Sequence, residues 1–296
     1  MHIPSSMLNG AICPVTLTVG AVGLGLAGYW SGKIKEKPGV FKFAGITALI
    51  FALQMLNYPI QDGTSGHLVG AMLAVSFLGI PFAVVSMALI LAVQAFFFGD
   101  GGINALGVNI LNMGILGAAL SGFLFYRMIQ KGMNRSLALG LAAWFSVLIG
   151  AVACAFEVAF SGAASLEKVL PAMLSVHSLI GLGEGVLTVA IVAVLGSCVR
   201  FWKENSKALA VGSLGLAAVA TTLSPFASNF PDGLEWVAEK FSFVQFSAVE
   251  FPALFPGYQA TFIGHAGLSS VVAGFIGIAI IFILTSATNL FLPKEK

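Results

Sequence analysis

Residues 81–98 read PFAVVSMALILAVQAFFF, eighteen positions without a charge. A helix of about 20 apolar residues crosses the hydrocarbon core of a bilayer. Outward from this run lie eight more apolar stretches, at roughly 11–30, 41–57, 66–79, 105–127, 136–160, 170–199, 207–223 and 262–292. The stretches 66–79 and 81–98 meet at Gly79-Ile80-Pro81. Proline does not continue a packed helix cleanly, so two spans are expected there and not one kinked helix. Hydrophobic residues make up 58% of the chain and charged residues 9%. A soluble domain carries about a quarter charged residues. With so little polar surface available, lipid is the solvent. The fold class is all-α: a polytopic transmembrane helical bundle of about nine spans.

The positive-inside rule tests that count. With nine spans and the N-terminus outside, the inner loops hold Lys33, Lys35, Lys37, Lys42, Arg127, Lys131, Arg135, Arg200, Lys203, Lys207, Lys294 and Lys296. The outer side holds only Lys168 and Lys240. Merging 66–79 with 81–98 scrambles this asymmetry, so it supports the split and a cytoplasmic C-terminus. The outer loops carry Asp62, Asp100, Asp232, Glu235, Glu239 and Glu250, which makes that face attractive to cations.

Several function classes drop out. A net charge of +2 argues against nucleic acid as a partner. Cys13, Cys154 and Cys198 lack paired spacing and read as small core residues, not a disulfide or a zinc cage. Met1-His2-Ile3-Pro4 has no basic segment of the kind that opens a cleaved signal peptide. No phosphate loop of the Gly-x-x-x-x-Gly-Lys-Ser/Thr type is present, so ATP hydrolysis by this chain is not expected. No row of intramembrane carboxylates suggests a proton-driven exchanger.

The chain has a seam. Residues 1–200 are dense with spans, about seven of them, joined by short loops. The polar segment 201–206, Phe-Trp-Lys-Glu-Asn-Ser, precedes a 207–296 unit of two spans joined by a long outer loop, 224–261. Loops of that length are usually functional or disordered.

His2 is the most informative residue. With Met1 retained, the terminal amine, the His2 backbone nitrogen and the His2 ring Nδ1 can close two fused chelate rings. Ni(II) and Cu(II) favour such tetragonal nitrogen sites. A fourth nitrogen could come from His67, His177 or His265. His67 sits in Gly63-Thr64-Ser65-Gly66-His67, on the same outer side as His2. Thr64 and Ser65 offer hydrogen bonds around it, and the glycines allow close backbone approach. His177 and Glu184 share a face of one span and read as a buried polar network or a pathway. His265 reads as interfacial. Gly99-Asp100-Gly101-Gly102 with Asn104, Asn109 and Asn112 forms a polar outer corner that satisfies backbone groups, without a direct Asn ligand.

These motifs together resemble the CbiM/NikM family, the substrate-binding S components of cobalt/nickel energy-coupling-factor (ECF) transporters. The resemblance rests on Met1-His2-Ile3, on Gly63 to Leu68, on Phe98 to Gly102 with Ala105-Leu106-Gly107 and Asn109, and on His177 to Gly185. It covers residues 1–200, the expected metal-binding membrane domain. Pro231-Asp232-Gly233-Leu234-Glu235 resembles the PDGLE signature of the small accessory subunit, here fused as 207–296. Ser5-Ser6 departs from the Asp-Gly that many members carry there.

The resemblance implies a metal site made by the Met1 amine, the His2 backbone and ring nitrogens, and the His67 ring. It implies a transmembrane coupling (T) protein and two cytoplasmic ABC-type ATPases as partners, in a prokaryotic cell membrane. Ni(II) or Co(II) is the expected cargo, with nickel favoured by the planar nitrogen set and the affinity order. The chain is expected to be a transporter subunit and not an enzyme. Two rival readings are an autonomous divalent-metal channel or secondary transporter, and an intramembrane metalloenzyme built on His177 and Glu184.

Overall fold

A computed structural model describes residues 2–61, 63–201, 206–243 and 252–287. Its helices are α1 (Ile12–Lys33), α2 (Val40–Gln54), α3 (Ala71–Leu78), α4 (Ile80–Val93), α5 (Leu106–Asn109), α6 (Ser121–Gln130), α7 (Arg135–Phe160), α8 (Leu166–Phe201), α9 (Ser206–Leu223), α10 (Gly233–Phe241) and α11 (Ala266–Ala287). Loosely wound π-helical turns extend α4 to Phe98 and join α5 to α6 through Ile110–Leu120. Seven of the resulting helices are long and apolar enough to cross a bilayer: Ile12–Lys33, Ile80–Phe98, Leu106–Gln130, Arg135–Phe160, Leu166–Ser197, Lys207–Phe226 and Ala266–Ser286. The chain is a polytopic helical membrane protein.

Two of the expected spans take other forms. The stretch 41–57 becomes α2, whose 15 residues reach about 22 Å at 1.5 Å per residue. From Phe43 to Ala52 it is buried in the bundle, with Ile46, Leu49, Ile50 and Phe51 inaccessible. The stretch 66–79 is helical only over Ala71–Leu78. Residues 67–70 stay non-helical, and neighbouring side chains satisfy that backbone. The Glu184 carboxylate accepts from the Val69 and Gly70 N–H groups at 2.6 and 2.9 Å, and Gln54 Nε2 donates to the Val69 carbonyl at 2.7 Å. Irregular backbone at membrane depth survives only when protein groups pair it in this way. Gly70, at φ +77°, then turns the chain into α3.

α3 and α4 run antiparallel. Gly79, at φ +76°, ends one and begins the other. A Cβ on Gly117 would meet Ala71, and one on Gly122 would meet Val75 and Ile80. Gly114 faces Val84 and Met87. Along one helix, contacts therefore ascend α3 and descend α4, which is a hairpin and not a kink.

α7 and α8 pack through glycines: a Cβ on Gly185 would lie 2.8 Å from the Gly140 carbonyl oxygen. The C-terminal unit wraps the first one. Gly45 of α2 abuts Ala210 of α9, and Gly277 of α11 abuts Phe51 of α2. At one end of the bundle the two units are stitched by backbone. The Ser228 N–H donates to the Asn57 carbonyl, Ser65 to Pro231 and Phe255 to Phe97, each at 2.8 Å. That end also holds residues 2–8.

Candidate metal centre

The N-terminal segment is threaded between helices and held by side chains. Asn109, ending α5, pairs with Ile3 from both sides. Its Oδ1 accepts from the Ile3 N–H at 2.9 Å, and its Nδ2 donates to the Ile3 carbonyl at 3.2 Å. Ile3 and Met7 are buried, and Ser161 Oγ donates to the Met7 carbonyl at 3.3 Å. Pro4 leads into a 3₁₀ turn, Ser5–Met7, so Ser5-Ser6 form the turn itself. The loop after α4 must approach closely: a Cβ on Gly101 would sit 2.6 Å from Asn109 Nδ2, and one on Gly102 would sit 2.3 Å from Ser5 Oγ. Both glycines have positive φ, which other L residues rarely adopt. Met1 lies outside the described residues.

This threading brings His2 against His67. The rings stand 5.4 Å apart, centroid to centroid, with an interplanar angle of 19°. His67 Nδ1 lies 3.1 Å from the Leu68 carbonyl. A carbonyl only accepts, so Nδ1 carries the proton and Nε2 keeps its lone pair. His2 Nε2 lies 3.0 Å from Gln94 Oε1, and its Nδ1 lies 3.5 Å from Asp100 Oδ1. Burial pushes the His2 imidazole below its ordinary pKa, and the Asp100 carboxylate opposes that shift. A neutral imidazole is the form that binds a metal ion.

The other expected residues fall into distinct roles. Glu184 clamps the Val69-Gly70 backbone just beyond His67. His177 Nδ1 pairs with the Met173 carbonyl at 2.9 Å, and its Nε2 has no hydrogen-bond partner among the described residues. His177 and His67 both line a small cavity with Asp232 and Gly233. Ser65 Oγ donates to the Phe230 carbonyl at 2.7 Å, and Thr64 Oγ1 is buried without a partner among the described residues. Thr64 and Ser65 therefore shape the loop and its contact with the tail; neither hydroxyl turns to an imidazole. His265 is exposed, and its Nδ1 accepts from the Leu268 N–H at the start of α11. Asn112 Nδ2 donates to Glu157 at 2.7 Å.

Sequence reasoning found the tail but missed its contact with the site. Asp232 caps α10 by accepting from the Leu234 and Glu235 N–H groups, while Glu235 accepts from the Asp232 N–H. This capping box is the physical content of the Asp-Gly-Leu-Glu motif. It delivers Asp232 beside Ser65, in a parallel bridge. Tyr258 donates to Asp100 Oδ2 at 2.6 Å, so the tail also holds the carboxylate that faces His2. Among the described residues no three His, Cys, Asp or Glu side chains gather as a metal cage. The side chains alone converge two imidazoles.

The chain resembles known proteins over both of its units. Residues 2–202 match the family model described as the cobalt uptake substrate-specific transmembrane region, CbiM, and residues 206–294 match the PDGLE domain. A putative fused nickel transport protein NikMN of Archaeoglobus fulgidus is 34% identical over 76% of this chain and 74% of its own length. The fused nickel transport protein NikMN of Rhodobacter capsulatus is 26% identical over 95% of both chains. A crystal structure of a truncated transition metal transporter superposes with a TM-score of 0.60 at 29% identity, covering 67% of this chain and 99% of that one. The chain belongs to the CbiM family, with a PDGLE domain joined to its C-terminal side.

Proposed function

We propose that this chain is the substrate-specific, metal-binding subunit of an ATP-driven ECF-type importer, and that its cargo is Ni(II). The observation that carries the reading is the near-parallel pair His2 and His67, whose ring centroids stand 5.4 Å apart, with His67 Nδ1 holding its proton against the Leu68 carbonyl. Two imidazoles of nearly one orientation suit donors in a single coordination plane. The Met1 amine and the His2 backbone nitrogen complete a four-nitrogen set of the kind Ni(II) favours over Co(II). Relatives named as nickel transport proteins support the choice of metal.

Capture begins at the outer end, where Asp100 lies beside His2 and draws a cation. Each side chain has a distinct task. Asn109 fixes the strand that follows His2, Glu184 fixes the strand that follows His67, and the PDGLE unit closes the end of the bundle through Ser65 and Asp100. The 1–200 part binds the ion; the 207–296 part tunes loading or coupling. A T protein and two ABC-type ATPases supply the energy and the movement that releases the ion inward.

The test has two arms. Purified protein with a native start should carry stoichiometric nickel with the optical band of a planar nitrogen site. Cells expressing this chain alone should take up no nickel until a coupling protein and ATPases are supplied. Uptake by the chain alone would favour an autonomous channel or secondary transporter instead.

A further inference from the structure

Two buried amides in the apolar spans, Gln54 at the end of α2 and Gln94 after α4, belong to no expected site. They are 4% and 0% exposed. Together they form a directed hydrogen-bond chain between the two halves of the metal centre. Its start is the Val69 carbonyl, two residues beyond His67. That oxygen can only accept, so Gln54 must present its NH₂, which donates at 2.7 Å. Gln54 Oε1 is then the acceptor for Gln94 Nε2, at 2.8 Å. Gln94 Oε1 is left facing His2 Nε2, at 3.0 Å. Flipping either amide would set oxygen against oxygen. Such orientations are assigned from the network, and here a backbone group fixes the network's direction.

We infer that Gln54 and Gln94 are positioning residues that force the proton of the neutral His2 ring onto Nε2 and so keep Nδ1 open for metal. The value of that tautomer rests on the reading of His2 Nδ1 as a ligand. Nδ1 is the only ring nitrogen that can share a chelate with the His2 backbone nitrogen. A ring protonated there would have to lose or move its proton before binding. The relay does this work in advance. It also ties His2 to the same Val69 peptide that Glu184 clamps, so one short segment sets both imidazoles. The oxygen of Asp100 at 3.5 Å from Nδ1 then faces a lone pair, an arrangement that a cation between them would relieve.

The experiment is ¹⁵N spectroscopy of ring-labelled histidine in the metal-free, full-length protein at pH 8, with Ni²⁺ titration of the same samples. The native chain should show His2 protonated at Nε2. Gln94→Met removes the acceptor while keeping an apolar-compatible shape. It should mix the two tautomers and weaken Ni²⁺ binding about tenfold, as loss of an outer hydrogen-bond partner commonly does. Gln54→Met touches neither imidazole but leaves Gln94 without the acceptor that fixes its direction, so it should also mix the tautomers, which a packing role would not produce. Protonation of native His2 at Nδ1, or a tautomer unchanged in Gln94→Met, would overturn the inference. A tautomer that obeys Gln94 beside a Ni²⁺ affinity that ignores it would leave the relay standing and break the chelate reading.

Discussion

The two histidines of the centre are held in opposite ways. His2 lies on the segment before α1 with no helix of its own, and side chains from other helices hold it: Gln94 on the ring and Asn109 on the next residue. His67 lies on an internal loop held through its backbone: Leu68 takes the ring proton, and Glu184 and Gln54 take the polar groups of Val69. The contrast separates two design problems. A chain terminus offers an amine and a deprotonatable amide, but it must be caged from outside. An internal loop is already anchored at both ends and needs only its irregular backbone satisfied.

The largest effect should come from altering the terminus. Acetylating Met1, or placing residues before it, turns the amine into an amide that binds only after losing a proton. Nickel affinity should fall at least about a hundredfold, or about 2.7 kcal/mol, in isothermal titration of folded protein. Next comes His67→Ala, which removes one of four nitrogens and little packing. Affinity should fall at least about tenfold, or about 1.4 kcal/mol.

Glu184→Gln should act first on the loop side. It replaces one of two acceptor oxygens by an amide that faces an N–H, leaving a buried donor unpaired at a cost of about 1–3 kcal/mol. Thermal stability should drop, amide exchange at Val69 and Gly70 should quicken, and nickel affinity should fall by less than in His67→Ala. The smallest effect belongs to truncation after residue 205. All four proposed nitrogens remain, so affinity should stay within about threefold, under about 0.7 kcal/mol. Uptake should suffer more than binding, because Asp100 loses Tyr258 and Ser65 loses the Phe230 and Pro231 carbonyls.

Much of the fold was legible because a bilayer imposes long apolar runs, and each expected run contains a helix. The sequence could not distinguish α1 from α2. Both are apolar all round, yet Val15, Val22, Leu26 and Trp30 of α1 are more than half exposed, while the core-facing residues of α2 are inaccessible. Lipid and protein interior demand the same side chains. The stretch 66–79 read as a span because Leu68 and Val69 are apolar. Only the partners Glu184 and Gln54, 115 and 15 residues away in sequence, allow it to stay unwound.

At the centre, His2 stood out because it follows Met1, and His67 and Asn109 as polar residues in or beside glycine-rich corners. Gln54 and Gln94 did not, since a lone amide in a span usually reads as packing. The usable signal was that both lie near the ends of spans adjoining the histidine segments, where a buried amide must find partners. The tail's reach to Ser65 and Asp100 depends on tertiary contact alone. The capping box in Asp232–Glu235 signals a helix start and nothing about where that helix docks.

The central claim is that the amine, the His2 nitrogens and His67 form one plane of four donors. It is tested most directly by inserting one Ala between Met1 and His2, with and without His67→Ala, and measuring nickel affinity in all four proteins. In the native start, His67→Ala should cost at least about tenfold. In the inserted chain the imidazole stands third, where amine, two amides and ring can supply four nitrogens unaided, so His67→Ala should cost nothing. An equal cost of His67→Ala in both backgrounds would contradict the shared plane.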